Sequence, residues 1–330
     1  MSVPTDDPLL AIEALNVWLP GPVGALEIVE HVDLTLRAGE VLGVAGESGS
    51  GKTITALALM GLLPNGGAAY GSARLAGRDL LSLSAREWPA VRGVDIAMVV
   101  QDPMTSLHPM LSIETQLCEH YLDHRLGSRA AARERAIDLL DRVRIPDPRS
   151  ALKAYPHQLS GGMRQRVAIA MALACEPKLL IADEPTTALD VTVQAGILHL
   201  LKGLCTSEGM AMILVTHDLG VMSAVADRLA VFYAGRVVEE GPCSELLTAP
   251  RHPYTRGLLD ALPGAHGGAA AEAFEAIPGA PPQPGARPTG CSFNPRCRFA
   301  GDDCSRREPL LTPVTHSRRL ACLVDPLVTA

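Results

Sequence analysis

No stretch of this chain is both long and apolar enough to cross a bilayer: runs such as Ala56 to Leu63 and Met210 to Val215 fall well short of the ~18 to 20 residues a span needs. The N-terminus, MSVPTDDPLL, lacks the positive segment and following apolar run of a secretory signal, so the chain is expected to stay in the cytosol. There is no surplus of positive charge either. With 29 basic against 36 acidic side chains and a formal charge of −7, nucleic acid is not expected as the main partner, because phosphate backbones are bound by clustered Lys and Arg. Lysine is scarce (Lys52, Lys153, Lys178, Lys202), which carries no functional reading by itself. No internal repeat is present. In a reducing compartment the 8 cysteines read as thiols or metal ligands rather than disulfides.

What the chain has is length and apolar content. Its 330 residues, 47% of them apolar and 20% charged, suffice for one large domain with an appendage. Val41 to Ala45 is an apolar run entering a Gly-rich turn, and Thr53 to Leu63 are strong helix formers, a strand–loop–helix order. Leu179 to Ala182 and Met212 to Val215 read as buried strands alternating with helical patterns at Met163 to Ala174 and Val191 to Leu204, which predicts an α/β fold with a largely parallel sheet. Polar helix formers between about Arg86 and Ala154, notably Arg129 to Arg144, predict a helical insertion. Leu229 to Val238 reads as a closing hairpin. The Pro, Gly and Ala content of Pro263 to Pro288 cannot pack a core and reads as a linker.

Gly46-Glu47-Ser48-Gly49-Ser50-Gly51-Lys52-Thr53 fits GxxxxGK[ST], in the strand–loop–helix setting that the motif requires. The glycines let backbone N–H groups turn toward phosphate oxygens, and the helix start adds its positive dipole end. Lys52 is expected on the β and γ phosphates and Thr53 on Mg²⁺. The run Leu179-Leu180-Ile181-Ala182-Asp183-Glu184-Pro185 places Asp183 at a strand end, where a carboxylate holds Mg²⁺ through its water shell. Glu184 comes next, positioned to polarise a water that attacks the γ-phosphate. In Leu159-Ser160-Gly161-Gly162, Ser160 is a helix N-cap and Gly161 and Gly162 leave amides uncovered, a second anion site. One nucleotide needs one cradle, so a second cradle points to a nucleotide on another subunit.

With these motifs in this order the chain resembles the ATP-binding-cassette ATPases over roughly residues 8 to 260. The resemblance implies a P-loop nucleotide-binding domain with a helical subdomain at about 86–170, and two such domains sandwiching two ATP molecules head to tail. It gives Gln101 a part in sensing Mg²⁺ and the attacking water, has His217 contact the γ-phosphate and orient the water of Glu184, and makes Asp190, of Ala188-Leu189-Asp190, a link across the dimer. An aromatic on the adenine is also implied; Trp18 is the nearest, the alternative being a strand-packing residue beside an exposed loop at Pro20 to Gly24. Cassette proteins of DNA repair separate the two phosphate motifs by long coiled coils, whereas Lys52 and Ser160 stand 108 residues apart (160 − 52). Translation-associated relatives carry two cassettes, and this chain carries one set of motifs.

Gln101 to Met110 (QDPMTSLHPM) and His252 to Leu259 (HPYTRGLL) are similar to segments of the dipeptide and oligopeptide permease ATPases, a class that also serves nickel and other small solutes. The resemblance implies a bacterial importer with a second, related ATPase, two membrane permease subunits and an extracytoplasmic solute-binding protein, this chain sitting at the cytoplasmic face of the membrane. Residues 1–262 form the cassette, 263–288 the linker and 289–330 a cysteine tail on this reading. Cys291, Cys297, Cys304 and Cys322 are spaced C-x5-C-x6-C-x17-C and suit a Zn²⁺ site or a [4Fe–4S] cluster. Zinc ligands usually come in pairs ~2 to 4 residues apart, which this spacing lacks. Members of the resembled class with such a tail carry a [4Fe–4S] cluster, and the cluster is the expectation. Cys118, Cys175, Cys205 and Cys243 read as packing residues.

Overall fold

The computed structural model describes residues 7–22, 24–102, 106–124, 127–186, 191–262 and 277–325. Asp190 with Ala188 and Leu189, residues 103–105 after Gln101, and residues 263–276 of the expected linker lie outside these. By its internal contacts the chain divides into two compact units, one made of Met1–Arg37, Val41–Leu81 and Val215–Ala330, the other of Ala38–Glu40 and Ser82–Leu214. No helix among the described residues is long and apolar enough to cross a membrane.

In the first unit, Val41–Ala45 is buried at every position, as a strand covered on both faces must be. It runs parallel to Arg228–Tyr233, with Leu42 opposite Arg228 and Ala45 opposite Val231. Arg228–Tyr233 then pairs antiparallel with Arg236–Pro242 through a two-residue turn, Ala234 and Gly235, both at positive φ as a twist-matched hairpin requires. This hairpin does not close the sheet. The tail strand Arg319–Leu320 adds to it, opposite Glu239 and Glu240, and Thr312–Pro313 pairs with that strand in turn.

A separate antiparallel sheet in the same unit holds Gly24–Leu36, Leu10–Gly21, Ala68–Leu75 and Arg78–Asp79 in that order. The sequence reading had no place for it, because register shifts between Ile12 and Leu15 and between Leu15 and Val17 break the alternation that marks a strand. Pro20 and Gly24, expected in an exposed loop, belong instead to the tip of this hairpin, where Gly21 faces Gly24.

In the second unit the strands lie in the order Ala211–Val215, Leu179–Asp183, Ile96–Val99. The last two are parallel, with Ile96 opposite Leu179 and Val99 opposite Ala182. The helical insertion is present as Ile113–His124, Arg129–Arg142 and Pro148–Ala151. Ser128 caps the second of these by accepting the Ala131 N–H at 3.1 Å. Gly161–Ala172 and Val191–Glu208 stand close to their expected places.

Two adjacent carboxylates fix the first unit's hairpin to the tail. Glu239 is fully buried, accepts the backbone N–H groups of Arg251 (2.8 Å) and His252 (3.1 Å), and takes Arg318 Nη2 at 2.7 Å. Glu240, 2% exposed, accepts Arg228 and Arg319. Successive strand residues point to opposite faces, so the two carboxylates meet different arginines. Removing one partner strands the other charge in the interior, which costs ~3–5 kcal/mol. Glu239→Ala is therefore expected to lower unfolding free energy by about that amount in a urea titration. A change within about 0.5 kcal/mol, the ordinary effect of a surface substitution, would show that the buried pair contributes nothing.

Candidate functional site

The Gly-rich turn and its helix lie wholly in the first unit. The helix Lys52–Leu59 starts at Gly51, which sits at φ 103 with no side chain capping it and no acidic residue in the first turn, so its dipole end is uncompensated by either. Gly46, at φ 149, packs so tightly that a Cβ there would stand 2.2 Å from the Phe232 carbonyl oxygen; any side chain is excluded. The Gly235 N–H donates to Ser50 O at 2.9 Å, which ties the turn to the hairpin.

Lys52 is 6% exposed and folds back over the turn. Its Nζ donates to Gly46 O (2.7 Å), Glu47 O (2.8 Å) and Ser50 Oγ (3.3 Å). A positive side chain folded over a turn at the start of a helix makes a setting in which an anion is favoured. Thr53, the next residue, is exposed at the helix start. His217 follows the strand Ala211–Val215 and is exposed. Beside it Asp218 caps the helix Leu219–Val225 through the N–H of Gly220 at 2.8 Å. Trp18 lies on the strand Leu10–Gly21, half-buried beside a cavity also lined by Leu26, Glu27 and Arg287.

In the second unit the structure brings Gln101 to Glu184: Gln101 Nε2 donates to Glu184 Oε2 at 2.9 Å. Asp183 ends the strand Leu179–Asp183 and is 5% exposed. Glu184 is held at φ 46, in the left-handed region that non-glycine residues avoid, and such strain persists where the fold imposes it, often at working sites. Ser160 caps the helix Gly161–Ala172 by accepting the Met163 N–H at 3.3 Å, and Ser160 and Gly161 are exposed.

The tail gathers what the sequence spreads over a 32-residue segment (Cys291 to Cys322, inclusive). Cys291, Cys297, Cys304 and Cys322 all line one small cavity with Phe293, Phe299 and His252. Burial, and then the other three thiols, push the Cys291 thiol up to about 11, while the Phe293 N–H pulls it down. Burial likewise raises Cys297 and Cys322, opposed by N–H donors from Phe299 and from Asp325 and Val324; Asp325 N stands 3.3 Å from Cys322 Sγ. Sulfurs crowded together with N–H groups aimed at them fit a cationic metal centre, which would hold them as thiolates. Among the described residues no three metal-ligating side chains already stand in the arrangement that holds an ion.

Sequence reasoning missed the neighbours of Glu47. Its N–H donates to Tyr254 Oη at 2.8 Å, and its carboxylate takes Arg296 Nη1 at 2.7 Å and Nη2 at 3.0 Å. Tyr254 and Tyr233 are fully buried, with ring centroids 4.6 Å apart. An arginine between two of the four cysteines, in CSFNPRC, was the one available signal.

Residues 29–187 match the family described as ABC transporter, and residues 238–304 match the oligopeptide/dipeptide transporter C-terminal region. The dipeptide transport ATP-binding protein DppD of Escherichia coli is 46% identical over 315 residues, covering 95% of this chain and 96% of that protein. The oligopeptide transport ATP-binding protein OppD of Salmonella typhimurium is 49% identical over 302 residues, 92% and 90% of the two chains. A solved dimeric ATP-binding cassette, MJ0796, in a post-hydrolysis state with ADP and phosphate, superposes with a TM-score of 0.64 at 28% identity over 71% of this chain and 98% of its own.

The Lys52 geometry makes a direct prediction. Lys52→Ala removes the buried cation, and equilibrium titration with Mg–ATP is expected to show affinity reduced at least about tenfold, since hydrogen bonds to charged groups are worth ~1.5–3 kcal/mol. Unchanged affinity would remove this turn from the phosphate site.

Proposed function

The chain belongs to the ABC transporter ATP-binding proteins of the oligopeptide/dipeptide class, and on that premise we propose that it is the ATP-hydrolysing subunit of a bacterial peptide importer. It works at the cytoplasmic face of the membrane with a second, related ATPase, two permease subunits and a solute-binding protein. The observation that carries the reading is the buried ammonium of Lys52 lying across a glycine turn at an uncapped helix start.

Each residue has a part set by its chemistry. The turn Gly46 to Thr53 (Gly46, Glu47, Ser48, Gly49, Ser50, Gly51, Lys52, Thr53) wraps the phosphates with backbone N–H groups while Lys52 binds the β and γ oxygens. Magnesium, when bound, would offset the charge of those oxygens. Thr53, Asp183 and Gln101 are its holders, and their hydroxyl, carboxylate and amide oxygens suit a hard cation. Glu184 takes the proton of the attacking water, held in place by Gln101; His217 steadies the γ-phosphate. Ser160, Gly161 and Gly162 close over the nucleotide of the sister subunit, and Asp190 links the two. Trp18, on an accessible strand face, stacks on adenine. The cargo is a dipeptide or oligopeptide, in keeping with the relatives' transport of such peptides.

The four cysteines of the tail hold a [4Fe–4S] cluster rather than zinc. The convergence of all four on one cavity and the N–H groups aimed at three sulfurs support it, and so does the lack of closely spaced ligand pairs.

Two outcomes test these readings. Glu184→Gln is expected to bind Mg–ATP as the parent does, accumulate as a closed dimer and lose about 10²- to 10⁴-fold in steady-state hydrolysis, the usual worth of a positioned base; turnover at the parent rate would reassign the base. Protein purified without oxygen is expected to absorb broadly near about 400 nm, whereas a colourless sample with one equivalent of zinc would replace the cluster.

A further inference from the structure

The phosphate turn is gripped at its second residue from three directions. The Glu47 N–H donates to Tyr254 Oη, its carbonyl accepts Lys52 Nζ, and its carboxylate receives both terminal nitrogens of Arg296. Arg296 is 8% exposed, so the guanidinium side of this two-pronged ion pair is shielded from water while the Glu47 carboxylate is half-buried, and the fork holds the pair in one geometry. The same guanidinium donates through Nε to Pro278 O at 2.8 Å and through Nη1 to Tyr233 Oη at 3.4 Å. The pairing with Glu47 leads the effects that raise the Arg296 pKa further.

Arg296 immediately precedes Cys297 and closes the single 3-10 turn Asn294–Arg296. Its neighbour Phe293, 4% exposed, packs edge-on to Tyr233 at 5.2 Å and against Tyr254 at 5.4 Å. One peptide bond therefore separates a member of the cysteine cavity from the group that holds the phosphate turn. The aromatic packing of Phe293 leaves that segment little room to shift without moving Arg296.

We propose that Arg296 is a positioning residue for the phosphate turn, and that through it the state of the cysteine tail sets the affinity of the site for nucleotide. With the cysteines gathered, Arg296 fixes Glu47 and the backbone of the turn is held in one conformation, so ordering costs less when phosphate binds. When the cysteines separate, the segment loosens, the ion pair weakens and the turn must be ordered by the nucleotide itself. This builds on the nucleotide reading of the turn and the metal reading of the tail.

The test measures equilibrium binding of Mg–ATP to the full chain, with iron content and absorbance recorded for each variant. Arg296→Gln and Glu47→Gln are each expected to weaken binding about tenfold, and the double variant no further, because both remove one interaction. Arg296→Lys keeps the charge but loses the fork, so it should recover part of the affinity. Cys297→Ser should weaken binding in the parent background and leave it unchanged in the Arg296→Gln background. Additive losses in the double variant, or an equal effect of Cys297→Ser in both backgrounds, would overturn the proposal. So would an affinity loss in Arg296→Gln that merely tracks lost iron. A parent chain that binds no Mg–ATP sinks the nucleotide reading along with this one. A metal-free chain that still shows Arg296–Glu47 coupling and the Cys297 dependence sustains the proposal while ending the cluster reading.

Discussion

A lysine ammonium held nearly out of water, against carbonyl oxygens of its own turn, is the constraint on which the first unit's working face depends. Burying such a charge is unfavourable, and neutral oxygens compensate only in part. The turn around it can hold that arrangement because Gly46 fits against the Phe232 carbonyl, and because Gly235 hydrogen-bonds to Ser50. The position of the ammonium is thus maintained by the fold itself.

That maintenance extends well beyond the turn. The hairpin of Arg228–Tyr233 and Arg236–Pro242 supports it from below through Phe232 and Gly235, and the hairpin is in turn secured by tail arginines on Glu239 and Glu240. Arg296 reaches the turn directly. The tail is thus fastened to the nucleotide-binding unit by buried charge pairs at separate points, each requiring its partner, since either member alone would be stranded. Aromatic packing of Phe293 on Tyr233 and Tyr254 fills the space between.

Much of this was legible in the sequence wherever the signal is local. Val41–Ala45, Leu179–Asp183 and Ala211–Val215 are unbroken apolar runs, and buried parallel strands are written that way. The glycines of the phosphate turn and the cap at Ser160 are short-range requirements of backbone geometry, readable within eight residues. The antiparallel sheet of Leu10–Gly21 and Gly24–Leu36 was not, because positive-φ residues such as Ala14 and His31 accompany register shifts that scramble its period. Nor were the charge pairs. A Glu in a strand looks like a solvated residue until its arginine arrives from far along the chain, and Arg296 with Glu47 spans 249 residues. Such pairings are products of tertiary structure, with no spacing rule to betray them.

The distance between Glu239 and Arg318, 79 residues, has a bearing on how the protein is born. As the polypeptide leaves the ribosome, N-terminal part first, the hairpin emerges with Glu239 destined for the interior before Arg318 has been made, and with Glu240 holding only Arg228 of its two arginines. The nucleotide-binding unit is therefore expected to stay unsettled during translation and to lock only when the closing stretch, with Arg318 and Arg319, has been synthesised.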